Sequence, residues 1–224
     1  MAARDLSKVT KAMYDYLSDV AYSEGSSYNR KHLMQAAAME STMGTNPDAF
    51  GDPEKDRYYG LMQSSVIMDE IDTEKGKVKV PKYPDIDREQ AAVYYGQEVR
   101  DRTENKGYWK EHDIDSIAKN LGIDDQGLLE YMAWQQGRTG LMRILGTLEN
   151  PDRTDMKPIG TAGVERLLSN MPDDKRDPSL YPTEWDVANE WLAEVTQKWE
   201  DYGREVMQLG KKYDDSTWEL PEEF

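Results

Sequence analysis

Trp185, Ala188, Leu192, Val195, Trp199, Tyr202, Val206 and Leu209 follow one another at strict steps of three and four residues. This is the a/d alternation of a heptad repeat, sustained over three to four repeats, and a helix is the regular structure that brings such positions to one side. The spacing predicts one long helix from about Trp185 to Leu209. It also constrains the rest of the chain, because an apolar stripe with two tryptophans and a tyrosine has to be covered, either by intramolecular packing or by an assembly partner.

At 224 residues, with 38% hydrophobic and 32% charged side chains, the chain can bury one substantial core and still carry a helical appendage. Forty-four acidic against 28 basic residues give a formal charge of −16, which repels phosphates and argues against nucleic acid as a partner. There is no cysteine and there are only two histidines, His32 and His112. Disulfides, thiolate nucleophiles and Cys- or His-rich metal centres are thereby excluded, and neither a metal nor a cofactor is expected. The N-terminal residues Met1 to Lys8 mix charged and polar types and lack the apolar core of a secretory signal, and no apolar run approaches the length of a membrane span. The expectation is a chain made in a cytoplasm without a signal peptide and without a transmembrane helix.

Upstream, Leu6, Val9, Met13, Leu17 and Val20 recur at helical spacing, predicting a helix over 5–22 that ends at the Ser-Glu-Gly-Ser-Ser segment 23–27. A second helix is predicted from about Tyr28 to Ser41, with Leu33, Ala36, Ala37 and Glu40 on one face. The Gly, Asn-Pro and Asp-Pro signals from Gly44 to Tyr59 read as a loop, which sets Glu40 at the edge of a cleft. A third helix is predicted to start in Gly60 to Ile71. Lys75 to Pro81 alternates like a short strand that its prolines confine to an edge or a loop, and a helix is predicted from Asp87 to about Arg102. Helical patterns follow over Ile114 to Leu121 and Asp125 to Leu148, the latter broken at Gly137 and Gly140. Residues 149–183 are rich in Pro and Asp and read as a linker with one short helix near Gly163 to Asn170.

Three segments stand out chemically: Ala38-Met39-Glu40-Ser41, Tyr59-Gly60-Leu61-Met62-Gln63, and Tyr131-Met132-Ala133-Trp134-Gln135-Gln136-Gly137. A carboxylate at a helix end, behind the apolar Ala36-Ala37-Ala38-Met39, is an arrangement suited to keeping one glutamic acid protonated near neutral pH for glycoside cleavage. In order and spacing the three segments resemble the lytic transglycosylase family, which shares a lysozyme-like fold with goose-type lysozyme. The first two match letter for letter. The third departs from the family's Ala-Tyr-Asn-Ala-Gly, with Trp134 in place of the tyrosine, and the likeness spans about residues 27–146.

The resemblance implies a mainly α, lysozyme-like domain, set at 1–148; composition and spacing add a linker over 149–183 and a C-terminal helical extension, a long amphipathic helix and tail, over 184–224. It implies cleavage of the β-1,4 bond between N-acetylmuramic acid and N-acetylglucosamine in peptidoglycan, with a 1,6-anhydromuramyl product. Glu40 would be the catalytic acid and base, and Ser41, Met62, Gln63, Tyr131, Trp134 and Gln135 would contact the glycan strand. With no signal peptide, such an enzyme fits a bacteriophage protein, carried in the virion for entry or released for lysis, that acts in the periplasm or cell wall. The helix Trp185–Leu209 would then be an assembly element, docking other virion proteins or a second copy, whose loss spares catalysis. Two alternatives stay open at this point. One is a hydrolytic muramidase using a second carboxylate from Asp48, Asp52, Glu54 or Asp56; the other is a structural virion protein that retains the fold without activity. Ser116 to Asp124 is similar to the first helix and turn of a helix-turn-helix. The acidic Asp124 to Glu130 that follows is the wrong charge for a recognition helix.

Overall fold

The computed structural model describes residues 6–21, 30–41, 43, 68–73, 76–81, 113–152, 154 and 157–213. In chain order these form α1 (Lys11–Ala21), α2 (Arg30–Ser41), the strands β1 (Met68–Thr73) and β2 (Gly76–Pro81), then α3 (Ile114–Asn120), α4 (Gln126–Gln136), α5 (Arg138–Glu149), α6 (Thr161–Ser169) and α7 (Glu184–Tyr213). Short 3-10 turns cover Leu6–Lys8, Asp173–Lys175 and Pro178–Leu180. The described chain is therefore mainly helical. The predicted helix over Asp87 to Arg102 lies outside the described residues.

The expected helix start from Gly60 to Ile71 is corrected at its C-terminal part, since Met68 to Ile71 belong to β1. That strand pairs antiparallel with β2 and sets Glu70 opposite Lys79, Ile71 opposite Val78 and Asp72 opposite Lys77. Only β2 alternates with period two, and the register places acidic positions of β1 across from basic positions of β2, which favours the antiparallel pair. The strand-like alternation read at Lys75 to Pro81 does form a strand.

Backbone contacts divide the chain into two compact units, one of Met1–Ala2 and Glu98–Glu200, the other of Ala3–Gln97 and Asp201–Phe224. In the first unit α5 packs on both α3 and α4. Asp125 caps α4 by accepting the Leu128 N–H on Oδ1 at 3.1 Å, as an N-cap carboxylate should. Helix α4 stops at Gly137, whose φ of 70° costs a residue with a side chain strain, and α5 starts directly after it. The second predicted break, Gly140, instead lies inside α5. Residues 149–183, read from composition as a linker, hold α6 and the buried Ile159, Leu167, Leu168 and Met171. They are fastened to the start of α7, where the Glu184 carboxylate accepts the Ile159 and Gly160 N–H groups, each at 3.0 Å.

In the second unit α1 packs on α2, burying Tyr14, Leu17, Leu33, Met34 and Ala37. The last turns of α7 close on this unit's N-terminal residues. Glu205 Oε2 accepts the Leu6 N–H at 3.3 Å, and the Tyr213 hydroxyl donates to the Val9 carbonyl at 2.7 Å. Gly203 permits a close approach: a Cβ there would lie 2.6 Å from Gln35 Nε2.

The heptad seam forms one uninterrupted helix, as its spacing predicts, and Ala188, Val195, Trp199, Tyr202, Val206 and Leu209 are all buried. Most of the seam predicted for an assembly element is thus packed within its own chain. Of the eight seam positions, Leu192 is half-buried and Trp185 is exposed. Among the described residues no helix is long and apolar enough to cross a membrane.

Candidate active site

Helix α2 is buried on every side through Leu33, Met34, Gln35, Ala36, Ala37 and Ala38, and emerges at the half-buried Met39 and Glu40. Its end is fixed by one acceptor. The Ala37 carbonyl receives the Ser41 hydroxyl at 3.1 Å and the Met43 N–H at 3.1 Å. Met43 makes its bond from the left-handed region, φ 52°, and is fully buried, so the apolar side chain anchors a turn that its backbone alone would disfavour. Glu40 is thus held in the last turn of a well-packed helix, part-way into solvent. The Ser41 side chain is fully buried and its hydroxyl bonds back to the helix.

The second group lies on α4. Tyr131 is buried, with its ring stacked on Trp134 at 6.2 Å and on Trp199 at 5.6 Å, each at 27° between planes. Its hydroxyl accepts the Gln135 amide N–H at 3.3 Å, and Gln135 Oε1 in turn accepts from Gln136 Nε2 at 3.2 Å. Trp134 and Gln135 are half-buried. The structure therefore brings Tyr131, Trp134 and Gln135 together on one helix of the first unit, whereas Glu40 and Ser41 end a helix of the second. Met62, Gln63 and the candidate carboxylates Asp48, Asp52, Glu54 and Asp56 lie outside the described residues.

Gln136 was not singled out in the sequence. It is a buried polar residue that orients Gln135, and a glutamine next to another at a helix end gives no local signal of that role. Trp199 escaped notice as a member of this group for a different reason: its seam spacing accounts for its burial without indicating what it packs on. Among the described residues no set of three or more acidic or histidine side chains is arranged to hold a metal ion. No known family model, curated protein or solved structure matches this chain.

Proposed function

We propose that the chain cleaves the β-1,4 bond between N-acetylmuramic acid and N-acetylglucosamine in peptidoglycan, with Glu40 as the acid and base. The observation that carries this reading is the placement of Glu40 in the final turn of α2, behind a fully buried Ala36–Ala38 segment, at a helix end that Ser41 and Met43 lock onto the Ala37 carbonyl. A general acid needs such a setting: a rigid backbone, a dry side and a wet side.

In this scheme Glu40 protonates the leaving glycosidic oxygen as the bond to the muramyl anomeric carbon breaks. The resulting carboxylate takes the proton of the muramyl 6-hydroxyl, whose oxygen closes on the anomeric carbon to give a 1,6-anhydro sugar without consuming water. Trp134 offers a half-exposed ring as a wall for the glycan strand, and Gln135, oriented by Tyr131 and Gln136, offers an amide. Met62 and Gln63 complete the proposed contacts, whereas Ser41, expected from the resemblance to touch the glycan, is fully buried with its hydroxyl on the Ala37 carbonyl. Ser41 would act by fixing the helix end that carries Glu40.

Digestion of purified peptidoglycan followed by mass spectrometry tests the reading. Glu40→Gln preserves shape but cannot transfer the proton, so cleavage should fall by about 10²-fold or more. Wild-type fragments should end in 1,6-anhydromuramyl groups. Reducing ends would replace the transglycosylase reading with a hydrolytic muramidase, and full activity in Glu40→Gln would overturn the assignment.

A further inference from the structure

A cleft of about 650 Å3 in the first unit lies where the end of α5, residues 150–152 and residues 157–158 meet the start of α7, with Trp185, Lys157, Asn150, Thr147, Glu184 and Asp186 among its lining residues. Its volume is in the range of small-ligand clefts, about 300–1,000 Å3. Trp185 is 36% exposed, an unusual state for the first member of a seam whose other tryptophan, Trp199, is buried. The ring is also fixed, because the indole N–H donates to the Leu148 carbonyl at 3.2 Å. The cleft therefore presents an aromatic surface already immobilised before any ligand arrives, which lowers the ordering cost of stacking.

The polar groups narrow the ligand class. Two of the three carboxylates in the lining are engaged within the chain: Glu184 accepts the Ile159 and Gly160 N–H groups, and Asp186 accepts the N–H and hydroxyl of Thr183, while the third, Asp152, is exposed. A proline-rich peptide would call on the indole N–H as donor to its carbonyls, and that donor is bound to Leu148. Lys157 contributes an exposed ammonium group, and Thr147 a hydroxyl. Asn150 contributes an amide whose oxygen is turned to the Asp152 N–H at 3.1 Å, leaving its NH2 as donor. An aromatic face ringed by donors, with the exposed Asp152 carboxylate at the rim, suits a ring that has an apolar face and carries both carbonyl acceptors and hydroxyl donors.

We propose that this cleft binds an N-acetylated hexosamine saccharide, with one pyranose ring against Trp185 and its acetamido carbonyl taken by Asn150 or Lys157. The site is separate from the proton chemistry of Glu40 and is tested by binding alone.

The test uses the full chain labelled with nitrogen-15 and titrated with chitotetraose, following the indole N–H resonance that disappears in Trp185→Ala. A saturable shift of that resonance is expected, and Trp185→Ala should weaken binding by about tenfold or more. If Trp185→Ala fails to fold by circular dichroism, the exposed pair Asn150→Ala and Lys157→Ala decides in its place, with an expected loss of about fivefold. No saturable shift at millimolar sugar, or affinity unchanged in the folded variants, overturns the proposal. So does a proline-rich peptide that shifts the Trp185 resonance where chitotetraose does not. Loss of cleavage in Glu40→Gln with chitotetraose binding intact would leave this site standing, and the reverse result would remove it without touching the proposed reaction.

Discussion

Trp199 donates its indole N–H to Asp125 Oδ2 at 3.0 Å, while the other oxygen of the same carboxylate caps α4. One acidic side chain thus starts the helix that carries Tyr131 and Trp134 and ties it to α7, whose Trp199 stacks on Tyr131. Asp125→Ala should lower the free energy of unfolding by about 2–3 kcal/mol, a lost cap plus an unpaired buried donor. Trp199→Phe should cost less, and in a double-mutant cycle the two losses should sum to more than the double variant shows, since they share one bond. Urea unfolding checks both; strict additivity would mean the bond is energetically idle.

Cutting the chain near residue 150 removes Trp191, Val195 and Trp199, which are buried in the same unit as α4. The fragment is expected to lose the near-ultraviolet dichroism of its aromatic residues and to aggregate, because the apolar faces that α7 covers become exposed. A stable, monomeric and lytic fragment would support the reading of α7 as a dispensable element.

Two glycines in helices should respond in opposite directions. A Cβ at Gly140 meets only Gln136 Cβ at 3.5 Å, an ordinary contact, so Gly140→Ala should stabilise by up to about 1 kcal/mol through helix propensity. A Cβ at Gly203 meets Gln35 Nε2 at 2.6 Å, and Gln35 is buried and has little room to withdraw. Gly203→Ala should destabilise by about 1–3 kcal/mol, the usual cost of overpacking. Thermal unfolding of the two variants distinguishes the cases.

Lys175 reaches both Glu190 and Glu194, which lie one turn apart on α7. Hydrogen bonding to Glu190 first, and then to Glu194, holds its ammonium group well above the ordinary lysine value of 10.5. A raised folded-state value means that the stabilisation is complete below the unfolded value and is lost as the pH climbs through the folded one. The groups are about one-third exposed, so the contribution is small, on the order of 0.5–1 kcal/mol. The stability difference between wild type and Lys175→Met should be level from about pH 7 to pH 10 and shrink only in more alkaline solution. A difference that shrank between neutral pH and pH 9 would assign it to another group.

The helices were legible wherever local spacing governs them. The three-and-four rhythm predicts α7 within a few residues of its ends, and Leu6, Val9 and Leu17 locate the first helical segment. Strand β1 was not legible, because Met68-Asp-Glu-Ile carries no β-branched run and its strand state depends on pairing with Lys-Val-Lys-Val. The helix end at Glu40 was legible from the loop signals after Gly44, but the lock at Ala37 was not, since it needs Met43 in a left-handed conformation that the sequence does not favour. Trp185 looked like one more buried seam residue. Its setting depends on the Leu148 carbonyl that takes its indole N–H, too distant in the sequence to be read from helical spacing.

Helix α7 supplies residues 184–200 to one unit and residues 201–213 to the other. The unit built around 98–200 is nearly continuous in sequence and can gather its core as soon as those residues leave the ribosome. The other cannot, because Leu6 and Val9 find their partners only at Glu205 and Tyr213, about two hundred positions later. During synthesis α1 must therefore wait with Tyr14 lacking the Tyr213 ring that lies 5.6 Å from it in the folded chain, the interval in which exposed apolar surface invites misassembly or a holding chaperone. The order of birth of the two units is thus the reverse of their order in the chain.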